Sequence, residues 1–159
     1  MLKRLVPLFL LLLITSQQTV LAFPMTIEDC MSQLNNDIKK DIMNSFPLLE
    51  RIEEANDTER YNYEDISKMI LNSKKRNLEL ESLMALFYGI SIGNRELILI
   101  NNEIEKAGSG YLFYKEPNGT NVLLEIEKEE KIWKIVKTRK VRGKYVTLEQ
   151  ISKDCLNIN

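Results

Sequence analysis

Gly89-Ile90-Ser91-Ile92-Gly93 matches G-x-S-x-G, the spacing that lifts a nucleophilic serine onto a sharp strand-to-helix turn. That serine needs a base to take its proton, and the chain contains no histidine. The same zero removes Cys-His nucleophile systems and imidazole metal ligands. No S-x-x-K spacing offers a lysine base instead. Helical periodicity before Gly89 predicts that the motif is a corner between two helices, which accounts for both glycines. The carboxylate pairs Glu53/Glu54 and Glu79/Glu81 have the spacing of solvated helix faces. Two cysteines without histidine cannot build a structural zinc site. The acidic stretch Glu50 to Asp65 lacks the Gly-centred pattern of a calcium loop. These residues favour a non-enzymatic chain, with no catalytic residue, no metal and no cofactor.

One charged segment is a candidate for binding. Lys131, Lys134, Lys137, Arg139, Lys140, Arg142 and Lys144 follow one another with no acidic residue between. Such a run can steer an acidic protein, an anionic membrane surface or a polyanionic glycan. The bland reading is an edge strand that uses Lys and Arg to resist edge-to-edge pairing. The binding hypothesis rests on Lys134, Lys137, Arg139, Lys140, Arg142 and Lys144, with an acidic protein surface as the expected partner. Nucleic acid is disfavoured by the overall charge.

The N-terminus reads as an address. Lys3 and Arg4 precede an apolar run from Leu5 to Ile14, and Val20-Leu21-Ala22 ends the segment with residues that signal peptidase accepts. Met1 to Ala22 is therefore expected to be a cleaved signal peptide, with a single domain over residues 23–159. Removal takes two of the 22 basic residues and leaves a net charge of −3 against 23 acidic ones. No later stretch is apolar enough to span a bilayer. The expected compartment is periplasmic or extracellular. In such an oxidising setting Cys30 and Cys155 read as a disulfide, with two separate thiols as the alternative. Asn56-Asp57-Thr58 and Asn118-Gly119-Thr120 are glycosylation sequons that matter only in a eukaryotic host.

The elements that hold these residues follow from periodicity. Thr26 and Asp29 have capping-box spacing, and Ile27, Cys30, Met31, Leu34, Ile38, Ile42 and Phe46 trace one helix face up to Pro47. Leu48, Leu49 and Ile52 suggest a short continuation, and Ala55 to Asn62 reads as a loop. Further helices are expected over Tyr63–Asn72, Lys74–Ile90 and Asn94–Ala107. Four apolar residues in a row, Leu97 to Ile100, make strand the rival for the last. Beyond Gly108 the pattern becomes extended. Tyr111 to Lys115, then Val122, Leu124 and Ile126, then Ile132 to Thr138 are strands, with Asn118-Gly119 as a turn and Lys144 to Val146 as a fourth candidate. Thr147 to Gln150 has capping-box spacing for a short C-terminal helix carrying Cys155. The expected fold is α+β: N-terminal helices covering the one apolar face of an antiparallel meander of three to four strands.

Phe87-Tyr88-Gly89-Ile90-Ser91-Ile92-Gly93-Asn94-Arg95-Glu96-Leu97, with Lys131-Ile132-Trp133-Lys134-Ile135-Val136 beyond it, resembles the cystatin-like α+β roll of the nuclear-transport-factor-two-like superfamily. The resemblance covers Leu80 to Thr138. It implies a helix ending in an aromatic, a Gly-Asn turn, a second helix and a curved sheet. The long helical N-terminal half and the small number of strands depart from that pattern. The superfamily hosts isomerases, ligand binders and assembly modules, so the resemblance speaks to fold before function. The first expectation for function is an exported interaction protein, an accessory, inhibitor or immunity-like factor. The alternative is a binder of a small apolar ligand, in a cavity lined by Tyr111, Phe113, Leu124, Ile126 and Trp133.

Overall fold

The computed structural model describes residues 26–55, 57–89, 91–101, 104, 107–146 and 155. The expected signal peptide, the Asn56 sequon and the Thr147 capping box lie outside the described residues. So does the terminal helix, apart from Cys155, which is helical.

Helix α1 spans Ile27–Ser45. Its capping box is formed: Asp29 N donates to Thr26 Oγ1 (3.1 Å), and Thr26 N donates to the Asp29 carboxylate (3.3 Å). Pro47 ends α1 and precedes the short α2, Leu48–Glu53. Helix α3, Tyr63–Asn72, opens with a second capping box, Asn62 with Asp65. Helix α4 is shorter than periodicity suggested, Leu78–Leu86, because Asn77 Oδ1 caps it by accepting from Glu79 N and Leu80 N.

Five strands make one antiparallel sheet in the order β1-β2-β3-β4-β5: Thr58–Tyr61, Ile92–Ile100, Ser109–Lys115, Thr120–Glu129 and Ile132–Arg142. Two of these correct the sequence-based expectation. The segment expected as a helix from Asn94 is strand β2. The segment expected as a loop, Ala55 to Asn62, contains β1, which pairs Thr58 with Ile100 and Tyr61 with Leu97. The final strand runs on to Arg142, and Lys144 to Val146 form no strand of their own.

The physical reason for β2 lies in the layering. Ile38, Ile42, Phe46 and Leu49 of α1, α2 and their connection pack on Ile98, Phe113 and Leu123. Ile66, Leu80, Leu83, Met84 and Phe87 pack on the opposite face, against Leu97, Leu99, Leu112, Val122, Leu124 and Ile126. Both faces of the sheet are covered, where one had been expected. A central strand between two helical layers can bury successive residues, so Leu97, Ile98 and Leu99 are all fully buried. A helix with one neighbour could not achieve that. Each such side chain contributes roughly 1.5–3 kcal/mol of burial.

The sheet also separates the residues expected to line one apolar cavity. Tyr111 and Phe113 belong to the α1 side, whereas Leu124, Ile126 and Trp133 belong to the α3–α4 side. Cys30 and Cys155 are joined in a disulfide with Cα atoms 5.3 Å apart.

Candidate functional site

Strand β5 carries the basic run along one edge of the sheet. Every residue from Lys134 to Arg142 is exposed, while Trp133 before them is buried under α4. The Trp133 backbone N–H donates to Ser82 Oγ of α4 (3.0 Å), and beyond it β5 is exposed. The cations do not gather on one face. Arg139 pairs with Leu123 and Lys137 with Glu125, so both share the α1 face. Lys140 pairs with Val122 and Arg142 with Thr120, on the α3–α4 face.

Strand β4 and the β3–β4 turn supply carboxylates to this edge. Arg139 Nη2 lies 2.6 Å from Glu125 Oε1, and Lys137 Nζ lies 3.9 Å from the same oxygen. Lys140 Nζ is 2.6 Å from Glu116 Oε1, and Lys134 pairs with Glu129. Lys140 and Glu116 each favour the other's charged form: the hydrogen bond raises the lysine pKa and lowers that of the glutamate. Arg142 and Lys131, the latter in the β4–β5 turn, have no ion-pair partner among the described residues. Exposed apolar side chains interleave with the cations: Ile135, Val136 and Val141 are 49%, 53% and 40% exposed.

Lys144 stands apart from the strand and belongs to a second arrangement, which sequence reasoning missed. Lys115 is fully buried, and its Nζ donates to Asp41 Oδ2 (2.6 Å), Lys144 O (3.0 Å) and Gly119 O (3.4 Å). Asn121 Nδ2 donates to Asp41 Oδ2 (2.9 Å), Asp41 O (3.1 Å) and Ser45 Oγ (2.8 Å). Lys144 N donates to Asp41 Oδ2 at 3.0 Å. One carboxylate of α1 thus ties together β3, β4 and the chain leaving β5. Burial disfavours the Asp41 charge, yet the bonds from Lys115, Asn121 and Lys144 outweigh it and hold the carboxyl below its ordinary pKa. Gly143 leaves room for it, since a Cβ there would displace Asn121 Nδ2 and Asp41 Oδ2 from their hydrogen bonds. The signal was one of phase. Lys115 continues the inward positions of Tyr111 and Phe113, Asn121 precedes Leu123 by two, and Asp41 lies beside Ile38 and Ile42.

A cavity of about 560 Å³ opens next to this cluster, with Leu34, Asp37, Lys40, Lys144, Tyr145 and the Cys30–Cys155 disulfide in its wall. It is not the apolar cavity expected from the sequence. Ser91 joins α4 to β2, a corner from helix to strand and not between two helices. Its Oγ donates to Gly93 O at 3.4 Å. Three of the four candidate carboxylates are engaged elsewhere: Glu79 with Lys128 (2.9 Å), Glu81 with Arg76 (3.0 Å) and Glu53 with Arg60. Asn118 is exposed in its turn, with Oδ1 accepting from Thr120 N. No helix among the described residues is long and apolar enough to cross a membrane. The chain matches no family model, no curated protein and no solved structure.

Proposed function

We propose that this is an exported, non-enzymatic interaction protein whose β5 edge receives a partner with an acidic surface. The observation that carries the reading is the exposure of β5 from Lys134 to Arg142, on both faces, in a sheet whose other long strands are covered by helices. A long-range disulfide is consistent with an oxidising compartment, periplasmic or extracellular. Exposed ion pairs such as Lys140–Glu116 contribute little and exchange readily. Cations in such pairs, and Arg142, which has no ion-pair partner among the described residues, can turn toward an incoming carboxylate. Their collective field raises the on-rate of such a partner more than its final affinity.

The test is retention on immobilised poly-glutamate at low and at high salt. The wild-type chain is expected to be retained at low salt and released as salt rises. The variant Arg139→Glu/Lys140→Glu/Arg142→Glu is expected to flow through. Equal behaviour of the two proteins at every salt concentration would overturn the reading.

A second reading, a small-molecule binder, draws on the cavity beside the disulfide. Asp37, Lys40 and Lys144 in its wall suit a polar or zwitterionic ligand better than the apolar one first expected. Thermal shift against a panel of amino acids and small acids tests it; no shift with any of them would remove it.

A further inference from the structure

We infer that β5 binds by strand addition, taking an extended acidic segment of its partner as a sixth strand along Lys137 to Arg142. The inference rests on the reading of β5 as the binding surface and adds the mode of binding.

The first argument is the edge itself. β5 ends the strand order, and at eleven residues it is the longest strand of the sheet. Exposed edges in natural sheets are usually short or covered, since a long edge offers unpaired N–H and C=O groups to any other strand. Among the described residues, no strand pairs with the outer side of β5. Helix α4 meets it near its start, where the Trp133 backbone N–H donates to Ser82 Oγ.

The register then narrows the segment. Ile126 pairs with Ile135 and Glu125 with Lys137, so Val136 is an extra residue, a bulge. A bulge twists the strand and breaks the ladder an incoming strand would need. From Lys137 to Arg142 the pairing with Glu125 to Thr120 is regular, without a shift. That stretch is the part of the edge able to template a neighbour.

Charge selects the neighbour. An antiparallel pairing of two β5 strands would set Lys137, Arg139, Lys140 and Arg142 against one another, and like charges directly opposite are unfavourable. The charges that oppose a second copy favour an acidic strand. Because cations lie on both faces of β5, carboxylates on either face of the added strand find a partner. The exposed Val141 among them gives an apolar residue of the partner a cross-strand contact. The favoured segment therefore mixes Glu or Asp with β-branched residues.

Two peptides of the same sequence, alternating glutamate and valine, separate the mode from the surface. One has an ordinary backbone; the other is N-methylated at alternate residues, which keeps every charge and removes ladder donors. Binding is read by titration calorimetry, and amide hydrogen exchange is followed in β5. The ordinary peptide is expected to bind and to slow exchange of amides within Lys137–Arg142. The methylated peptide is expected to bind on the order of tenfold more weakly, having lost hydrogen bonds. Lys137→Glu/Arg139→Glu should abolish binding of the ordinary peptide. Equal binding of both peptides without amide protection would overturn strand addition while leaving the basic surface intact. No binding of either peptide would overturn both. Concentration-dependent protection of β5 without peptide would identify a second copy as the occupant and overturn the acidic strand.

Discussion

Lys115 Nζ lies 2.6 Å from Asp41 Oδ2, with the lysine side chain fully buried and the aspartate 13% exposed. The pair joins the C-terminal part of α1 to the end of β3. The ammonium has three acceptors for its three hydrogens: Asp41, Lys144 O and Gly119 O. A buried ion pair is weak support for stability against an apolar replacement, but removing one partner strands the other charge. In this chain the pair also fixes where residues 143–146 lie, because Asp41 and Lys115 hold Lys144 by its N–H and its carbonyl.

Lys115→Met is expected to lower unfolding stability by about 3–5 kcal/mol, because it leaves Asp41 partly buried without its cation. The double variant Asp41→Leu/Lys115→Met should lose far less than the sum of the two single variants. Urea unfolding followed by the fluorescence of the single tryptophan, Trp133, 3% exposed, measures both. Additive losses would mean that the two residues do not act as a pair.

Acid should act through the same carboxylate. Asp41 binds its proton less readily in the folded chain than in the unfolded one. Its contribution is therefore complete above the unfolded value of about 3.9 and is lost as pH falls through the lower folded value. Glu116 and Glu129 are shifted in the same direction by Lys140 and Lys134, in exposed pairs that salt screens. Unfolding free energy should thus decline below about pH 4, and Asp41→Asn should flatten that decline. An unchanged slope in the variant at moderate salt would assign the acid limb to other groups.

The disulfide closes a loop with a sequence separation of 125. In the chain-entropy model a loop of that length stabilises by about 5 kcal/mol, an upper figure that native strain reduces. Cys30→Ser/Cys155→Ser is expected to unfold at lower urea, and thiol titration of the unreduced wild type should find no free cysteine. Identical urea midpoints for the variant and the wild type would show that the crosslink adds nothing to stability.

Charge reversal along β5 should separate paired from unpaired cations. Arg139→Glu sets a like charge against Glu125 across the strands, so its unfolding midpoint should fall measurably. Arg142→Glu breaks no ion pair among the described residues and should leave the midpoint unchanged. The reverse order would contradict the cross-strand geometry of this edge.

Ser91→Ala should unfold at the same urea concentration as the wild type and bind the poly-glutamate matrix equally. A serine-reactive fluorophosphonate probe should not label the wild-type chain. Stoichiometric labelling at Ser91 would require a base that a chain without histidine does not offer as imidazole.

Local signals determined much of this protein. Thr26 with Asp29 set the start of α1, and Asn118-Gly119 set the β3–β4 turn, because caps and turns depend on residues a few positions apart. The basic run could be read directly, as could the pairing of the only two cysteines. Tertiary structure alone decided the rest. Leu97 to Ile100 became a strand because helices lie on both sides of the sheet, and no short window records a second layer. Thr58 to Tyr61, polar enough to read as a loop, became β1 once β2 offered it an edge. Asp41, Lys115, Asn121 and Lys144 are scattered along the chain and look individually like surface residues. Their meeting depends on α1 crossing the ends of β3 and β4, and only there do three polar side chains and the backbone of Lys144 become one connected cluster.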